Sequence, residues 1–204
     1  MDSKHTLNKL LALYTDYSHI HRRTIALDKY DLISRSNPKI EPENELVRES
    51  LLEHVGSLPI VATYLYPLLE HRSNIDLGKV LILLAIHDIG ETVVGDAHPH
   101  PKTEDLIKSE YQQALSLLPG EYHPYLEEFE NKITPESKFA KSVDVFVTFL
   151  SDLMLPPDFV ARRLSAYEFS SKVFFEKRYE IFAWDSSLTE LFEEVIRRYQ
   201  EMGL

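Results

Sequence analysis

Val80-Leu81-Ile82-Leu83-Leu84-Ala85-Ile86-His87-Asp88-Ile89-Gly90-Glu91 is the stretch on which the reading of this chain turns. An unbroken apolar run ends on an adjacent histidine and aspartate. A helix apolar all round belongs in a protein core, and ionisable groups at its end are costly there unless paired or bound to a metal ion. Asp76 can cap such a helix over Leu77 to about Ile89, with Gly90 as its stop. His87 and Asp88 then fall in its last turn.

Composition narrows what surrounds this helix. The chain has 204 residues, 44% of them hydrophobic, with ten Phe, eleven Tyr and one Trp, enough for one sizeable core, so a single domain over 1–204 is expected. Only six glycines interrupt it, and long 3.6-period apolar patterns fill the intervals, which predicts an all-α fold, a helical bundle. Zero cysteines exclude a disulfide framework and any thiolate metal site, leaving histidine and carboxylate ligands. A net charge of −11 argues against a nucleic-acid duplex as partner. No apolar run reaches the ~18 residues of a membrane span and the N-terminus lacks a signal pattern, so no membrane partner and a cytoplasmic location are expected.

Outward from the central stretch, the first helix is expected from Thr6 to about Tyr17, with Leu7, Leu10, Leu11 and Tyr14 along one face. A short second helix is read over 24–34, and Arg35 to Asn44, with two prolines, as a loop. Ser50-Leu51-Leu52-Glu53 has the form of a capping box and opens a helix that carries His54 in its first turn. That helix runs to about Glu70 with Val61, Leu65, Leu68 and Leu69 inward, kinked at Pro59. Gly95 to Lys102 is irregular. Glu104–Leu117 is helical, Tyr125 to about Lys132 forms a turn or two, and Thr134-Pro135 starts a helix carrying Asp144 among Val143, Val145, Phe146 and Phe149. After Pro156-Pro157, helices are read from about Asp158 to Lys177 and from a capping box at Ser187 onward. The latter shows Leu188, Leu191, Phe192, Val195, Ile196 and Tyr199 on one stripe.

A His-Asp pair alone says little, since nine histidines and twelve aspartates give roughly half an occurrence by chance. Its setting says more. Three helices each bring an ionisable residue into apolar surroundings: His54 on one, His87 and Asp88 on the second, Asp144 on the third. Two imidazoles and two carboxylates suit one divalent transition ion, Fe, Mn, Co, Ni or Zn, with Mg a further candidate. His98 and His100 read as solvated loop histidines, and His19 and His21 as surface residues.

At this point the chain resembles the HD-domain metal-dependent phosphohydrolases, whose pattern is H…HD…D on separate helices of an all-α core. Glu49-Ser50-Leu51-Leu52-Glu53-His54 is similar to the family's E-S-x-x-E-H at its first ligand helix. His87-Asp88-Ile89-Gly90-Glu91 followed by Gly95-Asp96 is similar to the H-D-x-x-E-x-x-x-G-D signature of the bacterial 5′-deoxynucleotidase branch. His87 follows His54 by 33 residues and Asp144 follows Asp88 by 56, spacings of the family's kind. The resemblance covers roughly residues 30–150.

The resemblance implies that His54, His87, Asp88 and Asp144 hold the ion and that Glu91 is the catalytic acid/base. It implies sugar contact by Asp96 and phosphate binding by Arg35, in Ile33-Ser34-Arg35. Ser36 stands where the branch carries a tryptophan, so Arg48 and Lys102, with Arg22 and Arg23, are alternative cations. The implied activity is a phosphomonoesterase releasing phosphate from (deoxy)nucleoside 5′-monophosphates, that is, a small-molecule phosphate ester as partner. The alternatives are a hydrolase of another phosphate ester or a non-catalytic metal- and nucleotide-binding module. Thr92 occupies the place where the alarmone hydrolases of the superfamily carry a further acid. A homodimer is the expected assembly, because Tyr167 to Trp184 holds more large rings than one helix face needs.

Overall fold

The structure, a computed structural model, describes residues 3–25, 48–95, 103–166 and 171–204. Its architecture is helical: α1 (Ser3–His19), α2 (Leu51–Leu65), α3 (Leu77–Ile86), α4 (Glu91–Val94), α5 (Glu104–Leu117), α6 (His123–Asn131), α7 (Pro135–Leu153), α8 (Pro157–Ala166), α9 (Ser171–Phe182) and α10 (Ser186–Glu201). Two short strands, β1 (His21–Ile25) and β2 (Arg48–Ser50), pair antiparallel, with His21 opposite Ser50 and Ile25 opposite Arg48. Thr24 and Ile25 are therefore extended, where the sequence predicts the start of a helix; the rest of that predicted helix lies outside the described residues. No described helix is long and apolar enough to cross a membrane.

The chain forms two compact units, each discontinuous in sequence: residues 1–56 with 85–123, and residues 57–84 with 124–204. In the first unit, α1 lies against α4 and β2, and α4 lies against α5. Gly90 permits the second of these approaches, because a Cβ there would run into the Glu110 carbonyl of α5. Gly95 closes α4 at φ 78°, a left-handed conformation that glycine adopts without strain.

The second unit is built on α7. Eleven of its nineteen residues are buried, so this helix is enclosed on most of its circumference and Asp144 has little water beside it. Thr134 caps it by accepting from the Ser137 amide at 3.2 Å. Phe149 is fully buried and collects the rings of Phe174, Phe175, Phe182, Phe192 and Tyr199 at centroid distances of 5.4–6.4 Å. Phe174 and Tyr199 meet it edge to face, a geometry favoured by the ring quadrupoles. Phe174, Phe175 and Phe182 of α9 thus belong to this core, while Tyr179 is 40% exposed.

Several local expectations change. Leu7, Leu10, Leu11 and Tyr14 are all more than half exposed, and Tyr17 is the buried side chain of α1 among those described. A helical stripe needs an opposing surface, and periodicity alone cannot supply one. α2 continues through Pro59 but stops at Leu65, giving way to a 3₁₀ turn over Tyr66–Leu68; Leu65 and Leu69 are buried while Leu68 is 53% exposed. The cap of α10 is Asp185, whose carboxylate accepts from Leu188 N at 3.2 Å and from Glu70 N at 3.1 Å, and not Ser187.

Candidate metal centre

α3 ends three residues sooner than its apolar pattern predicts. It closes at Ile86, and His87, Asp88, Ile89 and Gly90 form a turn that leads directly into α4. The amides of Ile89 and Glu91 bond back to the carbonyls of Ile86 and Asp88 at 3.1 and 3.0 Å. This turn places His87, Asp88 and Glu91 all below 9% exposure, so the polar end of the apolar run does stay inside.

His54 is positioned by its helix start. Ser50 and Glu53 form the expected capping box: Glu53 N donates to Ser50 Oγ at 3.2 Å, while Ser50 N and Oγ donate to Glu53 Oε2 at 2.6 and 2.7 Å. The ladder with β1 fixes the same residue from the other side. One turn into α2, His54 is fully buried. Its Nε2 stands 3.6 Å from Asp88 Oδ2, and His87 Nε2 stands 3.1 Å from Asp88 Oδ1. The two rings lie 5.9 Å apart, so two imidazole nitrogens address one carboxylate.

Among the described residues, one group of side chains could hold a metal ion. His54, His87, Asp88 and Asp144 each offer a donor atom within 4.8 Å of the others, and all four are buried. The chemistry of this set fits a divalent cation. Two carboxylates kept this close and away from water repel one another, a repulsion that the Lys141 ammonium offsets at Asp144. A doubly charged ion relieves it, and mixed nitrogen and oxygen donors suit the first-row transition metals.

Lys141 and Tyr17 are not visible as site residues in the sequence, and Glu49 is visible only as the first residue of the Glu49–His54 motif. Lys141, three residues before Asp144 on α7, brings Nζ to 2.7 Å from Asp144 Oδ2 and lies 5.7 Å from the Phe129 ring centroid. Its i, i+3 spacing is a weak signal, common on any helix. Tyr17 of α1 is 7% exposed, and burial first, then the charges of Asp88 and Glu91, push its hydroxyl well above the ordinary tyrosine range. Nothing local marks it, because α1 and the 87–91 turn are far apart in sequence. Glu49, from β2, places Oε2 3.7 Å from His54 Nδ1.

The residues expected on the substrate side fare differently. Arg35, Asp96 and Lys102 lie outside the described residues, as do His98 and His100. Arg48 lies in β2, its backbone opposite Ile25. Glu91, 3% exposed, opens α4 one turn beyond His87.

Comparison with known proteins agrees with this geometry. The HD-domain family model matches residues 40–182. The 5′-deoxynucleotidase hdd1 of Schizosaccharomyces pombe is 28% identical over 111 residues, which are 48% of this chain and 54% of that protein. The chain therefore spans about half the length of this curated relative. A solved structure from Magnetospirillum magnetotacticum MS-1, described as a predicted metal-dependent phosphohydrolase, superposes with a TM-score of 0.75 at 20% identity, covering 97% of this chain and 92% of its own. The PH0347 protein of Pyrococcus horikoshii OT3 gives a TM-score of 0.62 at 19% identity, covering 94% and 99%. At such identities these likenesses speak for the fold.

Proposed function

The chain belongs to the HD-domain family, and on that premise we propose that it is a metal-dependent phosphohydrolase, most specifically a phosphomonoesterase of (deoxy)nucleoside 5′-monophosphates. The observation that carries this reading is the convergence of His54, His87, Asp88 and Asp144 within 4.8 Å. The nucleotide class is supported by the name of the yeast relative and by the G-D pair at Gly95-Asp96.

In this reading His54, His87, Asp88 and Asp144 hold one divalent ion. Such an ion, when bound, neutralises phosphoryl charge and lowers the pKa of a water molecule toward neutrality. The chain's own residues do the rest. Glu91 accepts the proton of the attacking water and returns it to the leaving 5′-alkoxide, a general acid/base task for a carboxylate held out of bulk solvent. The turn 87–90 keeps that carboxylate in register with His87 and Asp88. Tyr17, protonated through the physiological range, supplies a neutral hydroxyl beside Asp88 and Glu91. We assign phosphate binding to Arg35, with Arg48 and Lys102 as the alternative cations, and sugar contact to Asp96. The expected setting is the cytoplasm, where nucleoside monophosphates are present, and the single-domain organisation over 1–204 is part of the same reading.

The test is purified protein, stripped with chelator and reloaded with Mn, Co, Fe, Ni, Zn or Mg, assayed for phosphate release from a panel of nucleotides and sugar phosphates. Release from nucleoside 5′-monophosphates, dependent on one of these ions and abolished in His54→Ala and Asp144→Ala, is the expected result. Undiminished release by either variant takes the reaction away from this site. Metal-dependent release from non-nucleotide esters alone moves the substrate elsewhere within the family.

A further inference from the structure

His54 carries a carboxylate on each side of its ring. Nε2 faces Asp88 at 3.6 Å, and Nδ1 faces Glu49 Oε2 at 3.7 Å. Glu49 is itself 8% exposed, an unusual place for a glutamate unless it has work to do there. Its position is held firmly. It occupies the middle of β2, with paired residues on either side of it, His21 opposite Ser50 and Ile25 opposite Arg48. The next residue, Ser50, is half of the capping box that starts α2. Backbone ladder and helix cap together fix the direction from which the Glu49 carboxylate approaches the ring.

We infer that Glu49 is a positioning residue for the metal centre, fixing the tautomer and orientation of His54 from behind. The inference rests on the metal-centre reading above and adds a residue to it. An imidazole can place its proton on either nitrogen, and only the form protonated at Nδ1 presents an Nε2 lone pair to an ion. A carboxylate beside Nδ1 selects that form, because it attracts the proton there, and it raises the basicity of Nε2. It also resists rotation of the ring. With Asp88 and Asp144 contributing charge at the front, Glu49 acts on the ion through His54.

Cobalt(II) binding to the full chain tests this without relying on turnover. Affinity is read by chelator competition, the coordination environment by the visible absorption of the bound ion, and the fold by the thermal midpoint of the metal-free protein. Glu49→Gln, which keeps the shape and an acceptor oxygen but loses the charge, is expected to bind cobalt about 10-fold more weakly. Glu49→Ala is expected to approach a loss of about 100-fold with an altered spectrum, and both keep a metal-free midpoint near that of the wild type. Wild-type affinity and spectrum in Glu49→Gln overturn the inference, whether or not Glu49→Ala folds. A metal-free midpoint lowered in Glu49→Gln, with cobalt affinity unchanged, makes Glu49 a residue of the fold alone and overturns it as well. Wild-type protein that takes up no cobalt overturns the metal-centre reading and this inference together, so the two failures are distinguishable.

Discussion

The ring cluster about Phe149 and the turn His87–Glu91 are both withdrawn from water, for opposite reasons. Phe149, Phe182, Phe192 and Tyr199 are at most 1% exposed, and His87, Asp88 and Glu91 at most 8%. Each ring gains ~1.5–3 kcal/mol from its burial, with a further ~0.5–1.5 kcal/mol from a well-placed aromatic pair. A buried carboxylate gains nothing comparable and is unfavourable until a cation or donor meets it. The ring cluster therefore stabilises the fold, and the turn draws on stability generated elsewhere. In the proposed reading stability and chemistry are carried by different residues, and substitutions should separate them.

The largest effect is expected at Glu91. Glu91→Gln should lower turnover by about 10²–10⁴-fold while metal content and thermal midpoint stay near wild type; a variant with normal phosphate release would remove Glu91 from the proton transfer. Phe149→Ala should show the reverse pattern. Loss of a fully buried ring shared by five neighbours should reduce stability by ~3–5 kcal/mol in denaturant titration, with turnover per folded molecule unchanged. A proportional fall in both would erase the contrast between the two regions.

Gly90→Ala probes the junction, since Gly90 lies inside the polar turn yet is required by packing. A methyl group directed at the Glu110 carbonyl should cost ~1–3 kcal/mol and, by shifting α4 relative to α5, also reduce turnover; an unaffected midpoint would mean that α5 yields freely. The smallest effect is expected at Lys79, whose Nζ lies 2.8 Å from Glu128 Oε1. The hydrogen bond to Glu128 holds the ammonium above the ordinary lysine range, with burial acting against it. The folded state thus binds this proton more tightly than the unfolded one, so the contribution is fully present below the ordinary lysine pKa and is lost as pH rises through the raised value. Near the surface it amounts to less than ~1 kcal/mol. Lys79→Met should lose stability slightly near neutral pH and be indistinguishable from wild type once the pH is well above the raised lysine pKa; a constant difference at both would assign the effect to packing.

Much of the helical layout is local information. α5 has the expected ends, Thr134-Pro135 starts α7, and the Ser50–Glu53 capping box forms as read, because caps and turn breakers act within four residues. Non-local choices are not readable in the same way. α1 and α10 both carry an apolar stripe, yet Leu188, Phe192, Val195 and Tyr199 of α10 are buried while the Leu7, Leu10, Leu11 and Tyr14 stripe of α1 is exposed. Only the presence of α7 and α9 beside α10 makes the difference. β1 and β2 leave no local signal because each is short and acquires its hydrogen bonds from a partner more than twenty residues away. At the site, His54, His87, Asp88, Asp144 and Glu91 are legible from residue type and spacing. Glu49, Lys141 and Tyr17 become neighbours of that set only in three dimensions.

By itself the sequence determined most of the helical segments and which residues are candidates for chemistry, since 3.6-residue periodicity, caps and the ionisation of a side chain are properties of a few adjacent residues. The tertiary structure alone decided that four donors come within 4.8 Å, that α3 yields to a turn at His87, and that Glu49 stands behind His54. The physical reason is that convergence depends on how helices cross and how closely they approach, down to the missing Cβ of Gly90 against Glu110. Those quantities are set by interdigitating side chains from distant parts of the chain.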